Sequence, residues 1–98
     1  MKQKAEQLTL SHIEDRKEIL RRLARIEGQI RALQRLIQEE ADCATIIQQM
    51  MAARQAVHKT FAELMARLLT RECLLTEHLS EEERQNLGHL ADLIRRYL

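Results

Sequence analysis

The sequence predicts an all-α fold, and three observations carry that expectation. There is no proline in 98 residues and only two glycines, Gly28 and Gly88. Leu, Ala, Ile, Gln, Glu and Arg dominate the chain, and all are good or tolerable helix formers. Three stretches carry apolar residues at helical spacing, separated by short polar joints. A single domain over 1–98 is expected, with no internal repeat or low-complexity segment. The core of so short a helical chain is thin, which makes association with further copies the expected remedy.

The first helix is predicted at about 13–39. Ile19, Leu23, Ile26, Ile30, Leu33 and Ile37 step by 4, 3, 4, 3 and 4, a coiled-coil-like seam. Gly28 lies inside it against helix propensity, so close packing is expected there. The second helix begins with Asp42 as N-cap and is predicted at about 43–78. Its apolar set, from Ile46 and Ile47 through Met50, Val57, Phe61 and Leu64 to Leu75, is wider than one partner helix covers. Its roughly 36 residues make a rod about 54 Å long. The third helix, about 81–97, is announced by Ser80-Glu81-Glu82-Glu83, a capping box with acids in the first turn. Leu87, Leu90, Ile94 and Tyr97 form its stripe, and Arg95 and Arg96 suit its C-terminal end. The architecture expected is an antiparallel helical hairpin plus a short C-terminal helix, assembled into a larger bundle.

The net charge of +1 hides an uneven distribution. Arg16, Lys17, Arg21, Arg22, Arg25, Arg31 and Arg35 stand within twenty residues that hold only two acids, Glu18 and Glu27. A basic segment on a balanced chain points to a polyanion partner, and a merely solvated helix face is the alternative. No apolar run approaches eighteen residues and the N-terminal stretch lacks the apolar centre of a secretory signal, so a cytoplasmic protein without a membrane partner is expected. There is no C-x-x-C, no H-x-x-x-H, no Ser/His/Asp arrangement and no glycine-rich phosphate loop, and no enzyme is expected.

The two cysteines, Cys43 and Cys73, are expected as reduced thiols. On one straight helix they stand about 45 Å apart. Two second helices paired antiparallel bring them together between chains, with the twofold near His58 and two identical sites. Cys43 falls in the first turn, where unpaired N–H groups favour a thiolate, while Glu39, Glu40 and Asp42 oppose it. Thiolates bind soft metals and attack electrophilic sulfur; an inert buried cysteine is the alternative. Among the histidines His12 is the best candidate ligand, since it precedes the first helix and is expected to fold over the start of the second.

Residues 22–65, RLARIEGQIRALQRLIQEEADCATIIQQMMAARQAVHKTFAELM, resemble the CsoR/RcnR/FrmR family of bacterial transcriptional repressors. The R-I-E-G-Q, D-C and Q-x-x-A-A-R elements carry the resemblance. It implies a dimer of antiparallel four-helix bundles forming a disc-shaped homotetramer. It also implies that basic helix faces, without a helix-turn-helix, hold double-stranded operator DNA until an inducer binds. Cys43 takes the place of the sensing cysteine. Arg22, Arg25 and Lys59 match basic positions associated with DNA, Arg54 matches the arginine of A-x-R, and Arg21 belongs to the same basic segment. The scarcity of aromatics disfavours single-strand stacking and leaves duplex as the partner.

Departures from the family pattern bear on the inducer. Metal-sensing members carry a histidine, then a cysteine or histidine four residues later, where this chain has Leu68 and Glu72. Cys73 comes one residue late, about 100° round the helix, and a single-residue bulge would turn it back. The resemblance therefore points first to reactive sulfur or oxidant chemistry joining Cys43 to Cys73 of another subunit. A transition metal (Ni, Co or Cu) held by Cys43, His12 and Glu72 is the second expectation, and formaldehyde the third. Outside the family, a helical protein-interaction module is the alternative.

Overall fold

A computed structural model describes residue 10, residues 12–72 and residues 79–98. Those residues are helical throughout their ordered elements, with no strand among them: α1 (Ile13–Gln38), α2 (Cys43–Arg67), a π turn (Leu68–Glu72) and α3 (Glu81–Tyr97).

The joint between α1 and α2 is four residues long, which forces the two helices into an antiparallel hairpin. At its entry the Ala41 N–H donates to the Leu36 carbonyl at 2.9 Å and the Glu40 N–H to Ile37 at 3.2 Å. This is a Schellman closure, and it places Glu40 in the left-handed region with φ of 56°. Glycine is the usual residue there because a Cβ is strained in that conformation. Glu40→Gly is therefore expected to raise stability by about 1 kcal/mol, read as a rise in Tm with the hairpin otherwise unchanged; a fall would overturn the assignment. At the exit, the Asp42 carboxylate accepts from the Ala44 N–H at 3.0 Å and caps α2. Ser80 and Glu83 form a reciprocal capping box that starts α3.

Three seam residues of α1, Ile19, Ile26 and Leu33, are buried at seven-residue intervals. They meet α2, whose buried positions are the small or short Ala53, Thr60, Ala62 and Ala66 together with the ion-paired Glu63. α3 packs on α2 and adds Ala91 to the core. The single seam expected on α1 is thus split in two. Leu23, Ile30 and Ile37 are exposed, as are Ile47, Met50, Val57 and Phe61 of α2. The reason is geometric: one neighbouring helix covers only a narrow stripe, and each long helix here carries a broad one. Gly28 has open space where a Cβ would stand, so no close approach within the chain requires it.

The second helix is α-helical only to Arg67, after which the backbone widens into the π turn. Within it the Thr70 hydroxyl donates to the Ala66 carbonyl at 2.9 Å, as the Thr60 hydroxyl donates to Ala56 at 2.8 Å inside regular α2, so this bond does not by itself set the wider turn. Residues 73–78, over which the sequence predicts a continuous second helix, lie outside the described residues.

Candidate nucleic-acid interface

Arg22, Arg25 and Gln29 project from one face of α1 at spacings of three and four. Antiparallel pairing brings Lys59 and Gln49 of α2 opposite them. Together they line an open groove of about 610 Å³, floored by the small side chains of Ala32 and Ala56. Three of the sequence-predicted DNA contacts, Arg22, Arg25 and Lys59, are therefore neighbours on one surface. A second cavity of about 300 Å³ continues from the first, sharing Arg22 and Lys59 and adding Arg95 and Arg96 from the end of α3. The basic strip crosses all three helices. Arg95 and Arg96 had no part in it on sequence grounds; their only local signal was the pairing of two cations in a last turn.

The other two predicted contacts lie apart from this groove. Arg21 lines neither cavity and is bonded to Glu18 at 2.7 Å. Arg54 stands about 140° round α2 from Lys59. It occupies a different line, Cys43, Ile47, Met50, Arg54, Val57 and Phe61, which steps by 4, 3, 4, 3 and 4 and is exposed throughout. Hydrogen bonds from Arg21 and Arg22 hold the Glu18 carboxyl down at about 2, so at neutral pH it is ionised and shared between them. Among the described residues no carboxylate pairs with Arg25, Lys59 or Arg96. Their charges face solvent and are available to an anion.

Beneath the strip runs a chain of charges that ties the helices together. Asp15, fully buried in the first turn of α1, accepts from Arg67 at 2.7 Å. Arg67 also reaches Glu63 at 2.6 Å, and Glu63 accepts from Arg95 of α3 at 2.9 Å. Arg95 in turn approaches Asp92 at 3.4 Å. Burial alone raises the Glu63 pKa, but hydrogen bonds from Arg95 and Arg67 outweigh it and hold the carboxyl below its ordinary value. Burial opposes charge on Arg67 as well, and Glu63 and Asp15 reverse that, raising its pKa.

The candidate sensing residues are placed less closely. Cys43 is exposed as the first residue of α2. Cys73 and the Glu72 side chain lie outside the described residues. His12 precedes α1 and stands about 39 Å from the α1–α2 joint along that 26-residue helix. The expectation that it folds over the start of α2 is therefore corrected: the short joint puts the start of α1 beside the end of α2, at the far end from Cys43. No group of three His, Cys, Asp or Glu side chains among the described residues is close enough to hold a metal ion. Leu68, in the π turn, offers no donor atom. Within one chain, then, the described residues do not assemble a metal site.

The hairpin and its basic strip, drawn from all three helices, define an all-α protein with one cationic face. Residues 15–96 match the family described as metal-sensitive transcriptional repressor, and the chain belongs to that family. It is 34% identical over 77 residues to the transcriptional repressor RcnR of Salmonella paratyphi B, a match covering 78% of this chain and 82% of that one. It is 28% identical over 84 residues to an uncharacterized protein in the bioA 5′ region of Serratia marcescens, covering 86% and 92% respectively. This is the CsoR/RcnR family that the residue motifs resemble. Membership sets the chain among repressors of transcription and makes DNA the class of partner. No described helix is long and apolar enough to cross a membrane.

Proposed function

We propose that this chain is an operator-binding repressor that lets go of DNA when thiol chemistry links Cys43 to Cys73 of a second copy. The observation that carries the reading is the groove in which Arg22, Arg25 and Lys59 converge. The copies assemble as an antiparallel homodimer and then a disc-shaped homotetramer, which multiplies the phosphate contacts of each chain and makes affinity high and salt-dependent. The two exposed apolar lines, one on α1 and one on α2, supply the surface for that assembly.

Two features support the sensor. Cys43 is accessible, and the π turn takes up one extra residue in the second helix. One residue is also the offset between Cys73 and position 72, where the family pattern has its second donor. In the chemistry proposed, the Cys43 thiolate attacks a polysulfide and breaks one S–S bond. The resulting persulfide keeps the sulfane sulfur, and the polysulfide leaves one sulfur shorter. The Cys73 thiolate then attacks the Cys43 sulfur and expels hydrosulfide, so the sulfane sulfur is reduced as the two thiols are oxidised. The linked tetramer favours a shape that fits duplex poorly, and the coupling is the difference in DNA affinity between the two shapes.

A second reading keeps the repressor and changes the inducer. The family is described as metal-sensitive, and His12 lies at the same end of the hairpin as the π turn. In an antiparallel pair that is the end reached by Cys43 of the other copy, so Cys43, His12 and Glu72 from two chains form the donor set for a transition metal. Intact-mass analysis after exposure to polysulfide, formaldehyde and Cu(I) separates these, run beside a Cys73→Ser variant. A sulfur-linked dimer in the wild type that is absent from Cys73→Ser is the expected result. An unchanged polysulfide response in the variant would rule out the two-cysteine mechanism. If the tetramer shows no salt-dependent preference for promoter duplex from its own operon over random duplex, the repressor reading is lost.

A further inference from the structure

We propose that the C-terminal end of α3 is part of the duplex-binding surface, with the cavity between Arg22, Lys59, Arg95 and Arg96 seating a backbone phosphate. The proposal rests on the repressor reading and extends it to a helix on which that reading does not depend. Each of the three helices gives this cavity at least one cation: Arg22 from α1, Lys59 from α2, Arg95 and Arg96 from α3. Of the side chains lining it only Glu63 is acidic, and it is already committed to Arg95 at 2.9 Å and Arg67 at 2.6 Å; Leu98 closes the same wall. Arg95 is held by Glu63 and Asp92, so it positions α3 and is not the group left to meet a ligand. Lys59 and Arg96 pair with no carboxylate among the described residues. Arg96 lies with its guanidinium carbon 5.9 Å from the centre of the Tyr97 ring, an approach that holds the head in place without neutralising it.

What selects a duplex phosphate over an isolated anion is continuity. Arg22 and Lys59 line both this cavity and the larger groove, so a single polyanion lying along the groove passes over both. A guanidinium fork suits two phosphate oxygens at once, and Gln55 at the same wall adds an amide donor. Arg96 is the phosphate contact, Lys59 and Arg22 bridge to the groove, and the Glu63–Arg95 pair fixes the helix that carries Arg96.

The test is anisotropy titration of the full chain with promoter duplex from its own operon across a salt series, on wild type, Arg96→Ala, Arg96→Lys, Arg22→Ala and Arg84→Ala. Arg84 carries the same charge on α3 and does not line the cavity. For each phosphate no longer neutralised, the slope of log K against log salt falls by about 0.9 and affinity at 0.15 M salt falls about fivefold. Arg96→Ala is expected to show both changes, Arg96→Lys to recover most of the slope, and Arg84→Ala to match wild type. If Arg22→Ala weakens binding while Arg96→Ala leaves affinity and slope unchanged, the role of α3 is refuted and the repressor reading stands. If the wild type binds no duplex, both fall together. Saturable binding of inorganic pyrophosphate that disappears in Arg96→Ala, with duplex binding untouched, assigns the cavity to a small free anion and overturns the proposal.

Discussion

Replacing Arg67 by methionine is expected to lower the free energy of unfolding by about 3 kcal/mol, measured by urea denaturation at fixed protomer concentration. Asp15 is wholly buried and Glu63 nearly so, and the arginine that serves both is itself largely enclosed. Methionine keeps the stem of the side chain and removes the charge, which takes one guanidinium contact from each of two buried carboxylates, while Glu63 keeps Arg95. A buried charge stripped of its partner is far more costly than the intact pair is stabilising. Asp15→Asn combined with Arg67→Met removes charge from both sides and is expected to recover at least about 1 kcal/mol of the loss. The same network sets a pH dependence. Glu63 is held below its ordinary pKa, so its contribution is fully present above the unfolded-state value, about 4.3 for glutamate. It is lost as the pH falls from there through the lower folded-state value. In Arg67→Met that acid-side loss is shallower. A variant within about 0.5 kcal/mol of wild type, with the same acid limb, would show that the cluster is incidental to stability.

Which of these relations are legible in the sequence depends on how local their causes are. The Asp42 cap and the Ser80–Glu83 box are written in a few consecutive residues, and they can be read without a fold. Arg22 and Arg25 stand out by density within one helix. Lys59, Arg95 and Arg96 are no less part of the strip, but only the antiparallel joint and the packing of α3 bring them there. Asp15 and Arg67 are separated by 52 residues and carry no local mark of their pairing. Glu40 is hidden for the opposite reason: a left-handed cap is normally signalled by glycine, and here a glutamate tolerates the strain. Apolar period marks Ile19 and Leu23 alike as seam residues. It does not say that one is covered by the same chain and the other is left bare. The π turn carries no signature of its own in the sequence: Thr70 bonds back to Ala66 as Thr60 does to Ala56 within regular helix. His12 is misplaced by its nearness in sequence to α1, because the length of that helix carries it to the opposite end of the hairpin from Cys43.

The exposed line on α2 leads to the second large effect, on assembly. Met50→Gln with Phe61→Gln is expected to reduce the protein to single chains at micromolar concentration, read by light scattering. Operator affinity is expected to fall by at least about 100-fold. The two residues stand on the line that runs from Cys43 through Ile47, Arg54 and Val57, and Phe61 is 53% exposed in the isolated chain. In a twofold pair each substitution acts twice at the interface, and each buried apolar side chain is worth about 2 kcal/mol. Glutamine is the better probe than glutamate, because Arg54 on the same line offers a carboxylate a partner and can hide the effect. The intrachain core of Ile19, Ile26 and Leu33 is untouched, so helix content by circular dichroism distinguishes loss of assembly from loss of fold. The single variant Met50→Gln is expected to leave a concentration-dependent mixture. In the proposed tetramer DNA binding falls because one chain carries one basic strip, and several strips held on a rigid body act at high effective concentration on the same duplex. If the double variant keeps the wild-type mass and operator affinity, α2 is not the helix through which copies meet, and the proposed meeting of Cys43 with Cys73 of a second copy fails with it.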